Sequence, residues 1–200
     1  VNYSAAHGSL VIEDDFENEF VYLQKPTPSL FGLAGGQNVV YLGTFSRLLL
    51  PSIRISFMVL PPELSALYRK KADQYNQTAS KAEQIALCQF IRDGHLAAQT
   101  RKLKRLYSVK LKALRSAVRE VFGKDSQIQT GAAGTSLALT LSTTLTWQEL
   151  QKKAQTNGLR LQLLREAPGK ITLILSCSSM PVADFVPACK LLKDISQIQN

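Results

Sequence analysis

Between Gly94 and Phe122 apolar side chains recur at spacings of three and four, as Leu103, Tyr107, Leu111, Leu114, Val118 and Val121, with lysines and arginines between them. That period predicts one long helix with a single apolar face. A second helix is expected over about Ala79 to Arg92 and a third near Pro62, since proline suits a first helical turn. Ahead of these, short apolar runs bounded by turn residues predict strands at Ser9 to Ile12, Asn38 to Leu42 and about Ile53 to Leu60. The first runs into Glu13-Asp14-Asp15 and reads as a short buried strand ending at a site, because parallel strands are apolar and their carboxyl ends face ligands. Lys25-Pro26-Thr27-Pro28-Ser29 is a proline-stiffened loop, and Ala34-Gly35-Gly36-Gln37 a turn.

Beyond Gly123-Lys124-Asp125-Ser126 strands and helices alternate. Strands are expected near Gln127 to Thr130, Ser136 to Ser142, Arg160 to Leu164 and Ile171 to Cys177, with a helix near Trp147 to Thr156 and a terminal helix from Pro181. This is an α+β layer whose helices cover one sheet face. Gly131-Ala132-Ala133-Gly134 lacks the strand-to-helix setting of a phosphate loop and reads as a turn.

The 200 residues suffice for one domain with a sizeable core, or one and a half. A net charge of +9 raises nucleic acid as a partner, and much of the excess lies between Arg92 and Arg119. A charged helix face is usually a solvated one, so direct DNA contact is the minority reading of that segment. Cys88, Cys177 and Cys189 have no metal-like spacing and an odd count, which fits reduced, buried thiols in a cytosolic protein. His7 and His95 suit loop or helix-end roles, and no metal centre is expected. No apolar run approaches membrane-spanning length, and no leader opens the chain.

Three segments carry a family resemblance: Ile12-Glu13-Asp14-Asp15-Phe16, Tyr41-Leu42-Gly43-Thr44-Phe45-Ser46-Arg47, and Leu50-Pro51-Ser52-Ile53-Arg54, followed by Val59-Leu60-Pro61-Pro62-Glu63-Leu64. Together they resemble the cofactor segment of pyridoxal-phosphate (PLP) proteins of the aminotransferase class I fold, and above all the MocR subfamily of GntR-type transcription regulators. The resemblance implies an α/β fold class, the C-terminal part of a PLP-dependent aminotransferase. Residues 1–93 would form a partial large domain, and residues 94–200 a long linking helix and a small α+β domain. Family members are about twice this length, so a DNA-binding winged helix-turn-helix and the first half of the large domain are expected upstream of Val1.

In that family the central motif reads T-F-S-K, and its lysine carries the cofactor as a Schiff base. Here the position is Arg47. A guanidinium stays protonated and its lone pairs are delocalised, so Arg47 is neither nucleophile nor base, and no catalytic residue is expected. The family's pyridine-pairing aspartate falls on Asp14, and its phenolic-oxygen tyrosine on Phe16, which has lost the hydroxyl. Its phosphate ligands fall on Thr44, Ser46 and Arg54. The arginine that grips a substrate carboxylate falls on Ser179. The resemblance therefore implies a cofactor site of Asp14, Phe16, Thr44, Ser46, Arg47 and Arg54 that binds PLP without a covalent link, or binds none.

The function this implies is the aminotransferase-like region of a MocR-type regulator: a cytoplasmic homodimer that senses a small-molecule effector, meets DNA through the upstream winged helix-turn-helix and has no membrane role. The alternatives are a class I aminotransferase acting on an amino acid, which Arg47 opposes, and a relic kept for dimerisation.

Overall fold

The computed structural model describes residues 2–15, 28–49, 51–123, 126–130 and 134–196. Phe16, the loop residues Lys25 to Thr27 and the turn residues Gly131 to Ala133 lie outside the described residues. The chain divides into two compact units at Leu103 and Lys104, inside the long helix.

The first unit opens with α1 (Asn2–Ala6), where His7 closes the helix end by an Nδ1 contact of 2.8 Å with the Tyr3 carbonyl. A three-stranded sheet follows, ordered β1 (Val11–Asp14), β2 (Val39–Thr44) and β3 (Ser56–Val59). β1 and β2 are parallel and β3 returns antiparallel. Between β1 and β2 lies α2 (Leu30–Leu33), a single turn capped by the Ser29 hydroxyl, which accepts the Gly32 N–H at 3.0 Å. The chain then turns through Gly35 and Gly36, both at positive φ where a Cβ is disfavoured, and enters β2 through Asn38 at φ +55°. Beyond the sheet come α3 (Pro62–Lys71), with Pro62 in its first turn, and α4 (Lys81–Arg92), capped by Ser80.

Three expectations need correction here. β1 starts at Val11 rather than Ser9 and is not buried: Ile12 is 67% exposed, because β1 is an edge strand among the described residues. β3 begins at Ser56 rather than Ile53, since residues 51–53 form a 3-10 turn and Arg54 takes a left-handed φ of +45°, which no strand continues through. Cys88 is exposed on α4, whose one buried residue is Leu87; Cys177 and Cys189 are buried as expected, and all three thiols are free.

The second unit is built on α5 (His95–Phe122), whose first residues belong to the first unit. Its sheet runs β4 (Gln127–Thr130), β5 (Ser136–Ser142), β7 (Lys170–Ser176), β6 (Gln162–Ala167), antiparallel throughout. Alternation in β5 sends Leu137, Leu139 and Leu141 to one face, where Ile171 and Leu173 of β7 join them. Onto that face pack Leu111, Leu114 and Val118 of α5, Leu150 of α6 (Trp147–Thr156), and Phe185, Cys189 and Leu192 of α7 (Phe185–Ser196). β6 starts two residues and ends three residues later than its pattern suggests, and its register against β7 shifts between Leu163 and Arg165.

Candidate functional site

Parallel pairing sends the carboxyl ends of β1 and β2 to the same end of the first unit's sheet, with Asp14 in register with Leu42. β3 runs back and sets Ser56 opposite Thr44, so Arg54 and Ile55 return to that end too. In open sheets this is the end at which ligands bind.

The turn after Thr44 is held by short-range bonds. The Phe45 N–H donates to the Ile55 carbonyl at 3.1 Å, and the Leu49 N–H to the Phe45 carbonyl at 3.0 Å. Thr44 Oγ1 accepts the Ser46 N–H at 3.2 Å and donates to the Ile55 carbonyl at 3.4 Å. Ile55 is itself buried, and it anchors Arg54 just before it in the left-handed region. That conformation costs a residue with a side chain roughly 1–2 kcal/mol.

Two adjoining clefts open here. The smaller, about 410 Å³, is lined by Thr44, Ser46, Arg47 and Arg54 with Pro51, Ile55 and Ser56. The larger, about 1350 Å³, is lined by Asp14, by Leu42 to Phe45 and by Arg54, with Tyr68, Gln84 and Cys88 on its helical side. Arg47, Arg54 and Asp14 are exposed, while Thr44 and Ser46 are half-buried. Two guanidiniums and two hydroxyls at one cleft suit a phosphate-like anion, and a carboxylate at the next suits a cation or a protonated ring nitrogen. As a donor set this fits a phosphorylated pyridine held by hydrogen bonds and charge. Residue 47 brings a guanidinium to this cleft and no nucleophilic amine.

Side chains in Glu13-Asp14-Asp15 alternate between faces. The Glu13 carboxylate accepts the backbone N–H groups of Leu30 at 2.7 Å and Phe31 at 2.9 Å, and Asp15 accepts the Tyr41 hydroxyl. Two of the three acids thus hold the fold, and Asp14 is the one that lines the larger cleft. Sequence reasoning missed Glu13 and Tyr41. The available signal was the two-residue period, which puts Glu13 and Asp15 on the face opposite Asp14.

Phe16 lies outside the described residues. Ser179 belongs to the second unit, exposed in the bend after β7, beside a Ser178 carbonyl that accepts Lys110 Nζ at 2.9 Å. Among the described residues no three His, Cys, Asp or Glu side chains are grouped to hold a metal, and no helix is long and apolar enough to cross a membrane.

No family model matches the chain. It is 32% identical over 197 residues to the uncharacterized HTH-type transcriptional regulator YdeL of Bacillus subtilis, covering 96% of this chain and 42% of the regulator. It is 36% identical over 159 residues to YhdI, another uncharacterized HTH-type transcriptional regulator of that organism, covering 80% of this chain and 34% of YhdI. The chain therefore spans less than half the length of these relatives. Among solved structures, the α-aminoadipate aminotransferase LysN of Thermus thermophilus superposes with a TM-score of 0.78 at 24% identity, over 98% of this chain and 52% of LysN. That likeness shows the fold, a class I aminotransferase fold of which this chain matches about half. On these matches the chain belongs to the MocR-type, GntR-family HTH regulators, as their C-terminal aminotransferase-like portion.

Proposed function

We propose that this portion is the effector-binding and dimerising part of a cytoplasmic regulator, that it is catalytically silent, and that it holds a PLP-type ligand without a covalent bond. In this reading residues 1–93 are part of the large domain, and residues 94–200 are the linking helix and small domain. DNA is met through the helix-turn-helix portion of the longer protein.

The observation that carries the reading is the convergence of Thr44, Ser46, Arg47 and Arg54 on one cleft while Asp14 lines the adjoining one. Arg54 and the two hydroxyls grip the phosphate, Arg47 adds positive field, and Asp14 keeps the ring nitrogen protonated. Bound PLP supplies an electron-withdrawing ring, but the chain has no amine at residue 47 to capture it and no base there to move a proton. Ser179 and Phe16 lack the groups that would grip a substrate carboxylate and the ring's phenolic oxygen. The transaminase alternative therefore lacks its central residue.

Titration of the chain with PLP, followed by dialysis and borohydride reduction, tests this. Saturable binding that dialyses away and is displaced by inorganic phosphate is expected. A reduced covalent adduct in this segment, transamination above the rate of free cofactor, or no binding at all would overturn the reading.

A further inference from the structure

We propose that the outward face of α5 in the second unit, carried by Arg105, Lys112, Arg115 and Arg119, is a backbone-contact surface for double-stranded DNA. α5 holds eight lysines and arginines against one acid, Glu120, so its charges are not balanced along the helix. The four residues named are separated by seven, three and four positions, which aligns them along one face for about 21 Å. All four are exposed, and among the described residues none is paired with a carboxylate. The opposite face is already engaged, since Leu111, Leu114 and Val118 lie in the core at 2%, 4% and 0% exposure.

Duplex DNA offers a negative charge about every 1.7 Å of axis, and a row of mostly arginine side chains matches it well, because the guanidinium fork engages phosphate oxygens in pairs. A lipid surface fits less well. It calls for an apolar face beside the basic one, and on this part of α5 only Leu106 and Val109 are both apolar and exposed. The choice of DNA over an acidic protein rests on the regulator reading: a helix-turn-helix in the same polypeptide would hold this face near a duplex at high effective concentration. The contacts would be to phosphates and carry no sequence preference.

The test is fluorescence anisotropy of the 200-residue chain with a labelled duplex of arbitrary sequence, across a salt series. Two triple variants are compared with it, one with Arg105, Arg115 and Arg119 each changed to Gln and one with each changed to Glu. The parent should bind at low salt. The glutamine variant should bind at least ~10-fold more weakly, with a log-affinity against log-salt slope shallower by about 3. The Glu variant should lose binding altogether; circular dichroism checks its fold, and if it misfolds the Gln variant decides. A parent that ignores the duplex, a Gln variant with unchanged affinity and slope, or binding only to polyglutamate or anionic vesicles would each overturn the proposal. PLP binding measured on the same preparations reports separately on the ligand site, so the two readings can fail independently.

Discussion

Gly43 and Phe57 face each other across β2 and β3, and the Phe57 ring occupies the space that a side chain on residue 43 would need. A Cβ built on Gly43 would overlap Phe57 Cζ and lie 2.7 Å from Cε1. The ring also lies 6.2 Å from Tyr41 and 5.2 Å from Phe45, so it links the strand bearing the Tyr41 hydroxyl to the turn that presents Ser46 and Arg47. A ring laid over a bare glycine is a known way to fix strand register.

Gly43→Ala should therefore displace Phe57 and cost about 1–2 kcal/mol through lost ring packing. In a Phe57→Ala background the same change should be neutral or mildly stabilising, because alanine gives up less backbone freedom on folding. Urea unfolding of all four combinations measures this, and an equal cost in both backgrounds would show that the ring is not the cause.

In the proposed reading, Arg54 would couple its left-handed backbone to ligand binding. Arg54→Gly should leave stability unchanged or raise it by up to about 1 kcal/mol, since glycine accepts the left-handed φ freely and loses part of that gain to a more flexible unfolded chain. The same variant should bind phosphate or PLP ~10-fold to 100-fold more weakly, because charge-assisted hydrogen bonds are lost. Thermal melts and ligand titrations on one preparation test both halves. Unchanged affinity would remove Arg54 from the site.

Arg47→Lys restores an amine next to Thr44 and Ser46. Borohydride treatment with PLP should then add a covalent mass at residue 47, which the parent protein should not show. Transamination should still be absent, since Phe16 and Ser179 are unchanged and the chain covers about half of the aminotransferase fold. Measurable turnover by this single variant would mean that those positions matter less than proposed.

What could be read from the sequence was what local patterns encode. The three-and-four spacing of Leu111, Leu114 and Val118 marked α5, and the alternation of Leu137, Leu139 and Leu141 marked β5, because each pattern repeats over several turns or pleats. The missed features depend on distant partners. α2 is only four residues long and draws on a carboxylate from Glu13, 17 positions earlier in the chain. The left-handed Arg54 leaves no trace in an apolar pattern, so that pattern places the start of β3 three residues early. At the site, the resemblance named Asp14, Thr44, Ser46, Arg47 and Arg54. The sheet's pairing explains how residues up to 40 positions apart come to line adjoining clefts.

The thiols should separate by reactivity. Cys88 is exposed, whereas burial raises the Cys177 thiol, with Lys110 pulling weakly the other way, and burial aided by the Glu120 charge raises Cys189 to about 11. Labelling of native protein near pH 8 should modify Cys88 alone, with the other two reacting only after unfolding. A raised thiol favours the folded state while it is protonated. That contribution is complete below the ordinary value of 9.0 and is lost as pH rises through about 11, so the second unit should weaken across that window. Fast labelling of Cys189 at neutral pH would contradict its buried position.

The first unit should also drive self-association. Among the described residues β1 and β3 are the two edges of its sheet; Ile12 is 67% exposed on one, and Phe57, Met58 and Val59 are 39%, 55% and 40% exposed on the other. Unpaired strand edges carrying apolar side chains recruit further strands or a second copy, and a lysine placed on such an edge opposes this by keeping its charge in water. Ile12→Lys should accordingly lower the apparent mass of the chain in light scattering or sedimentation at micromolar concentration. Its far-ultraviolet spectrum should not change, because the substituted side chain already faces solvent. A parent chain that sediments as a monomer, or an Ile12→Lys variant that associates as strongly as the parent, would show that this edge is not the surface through which copies meet.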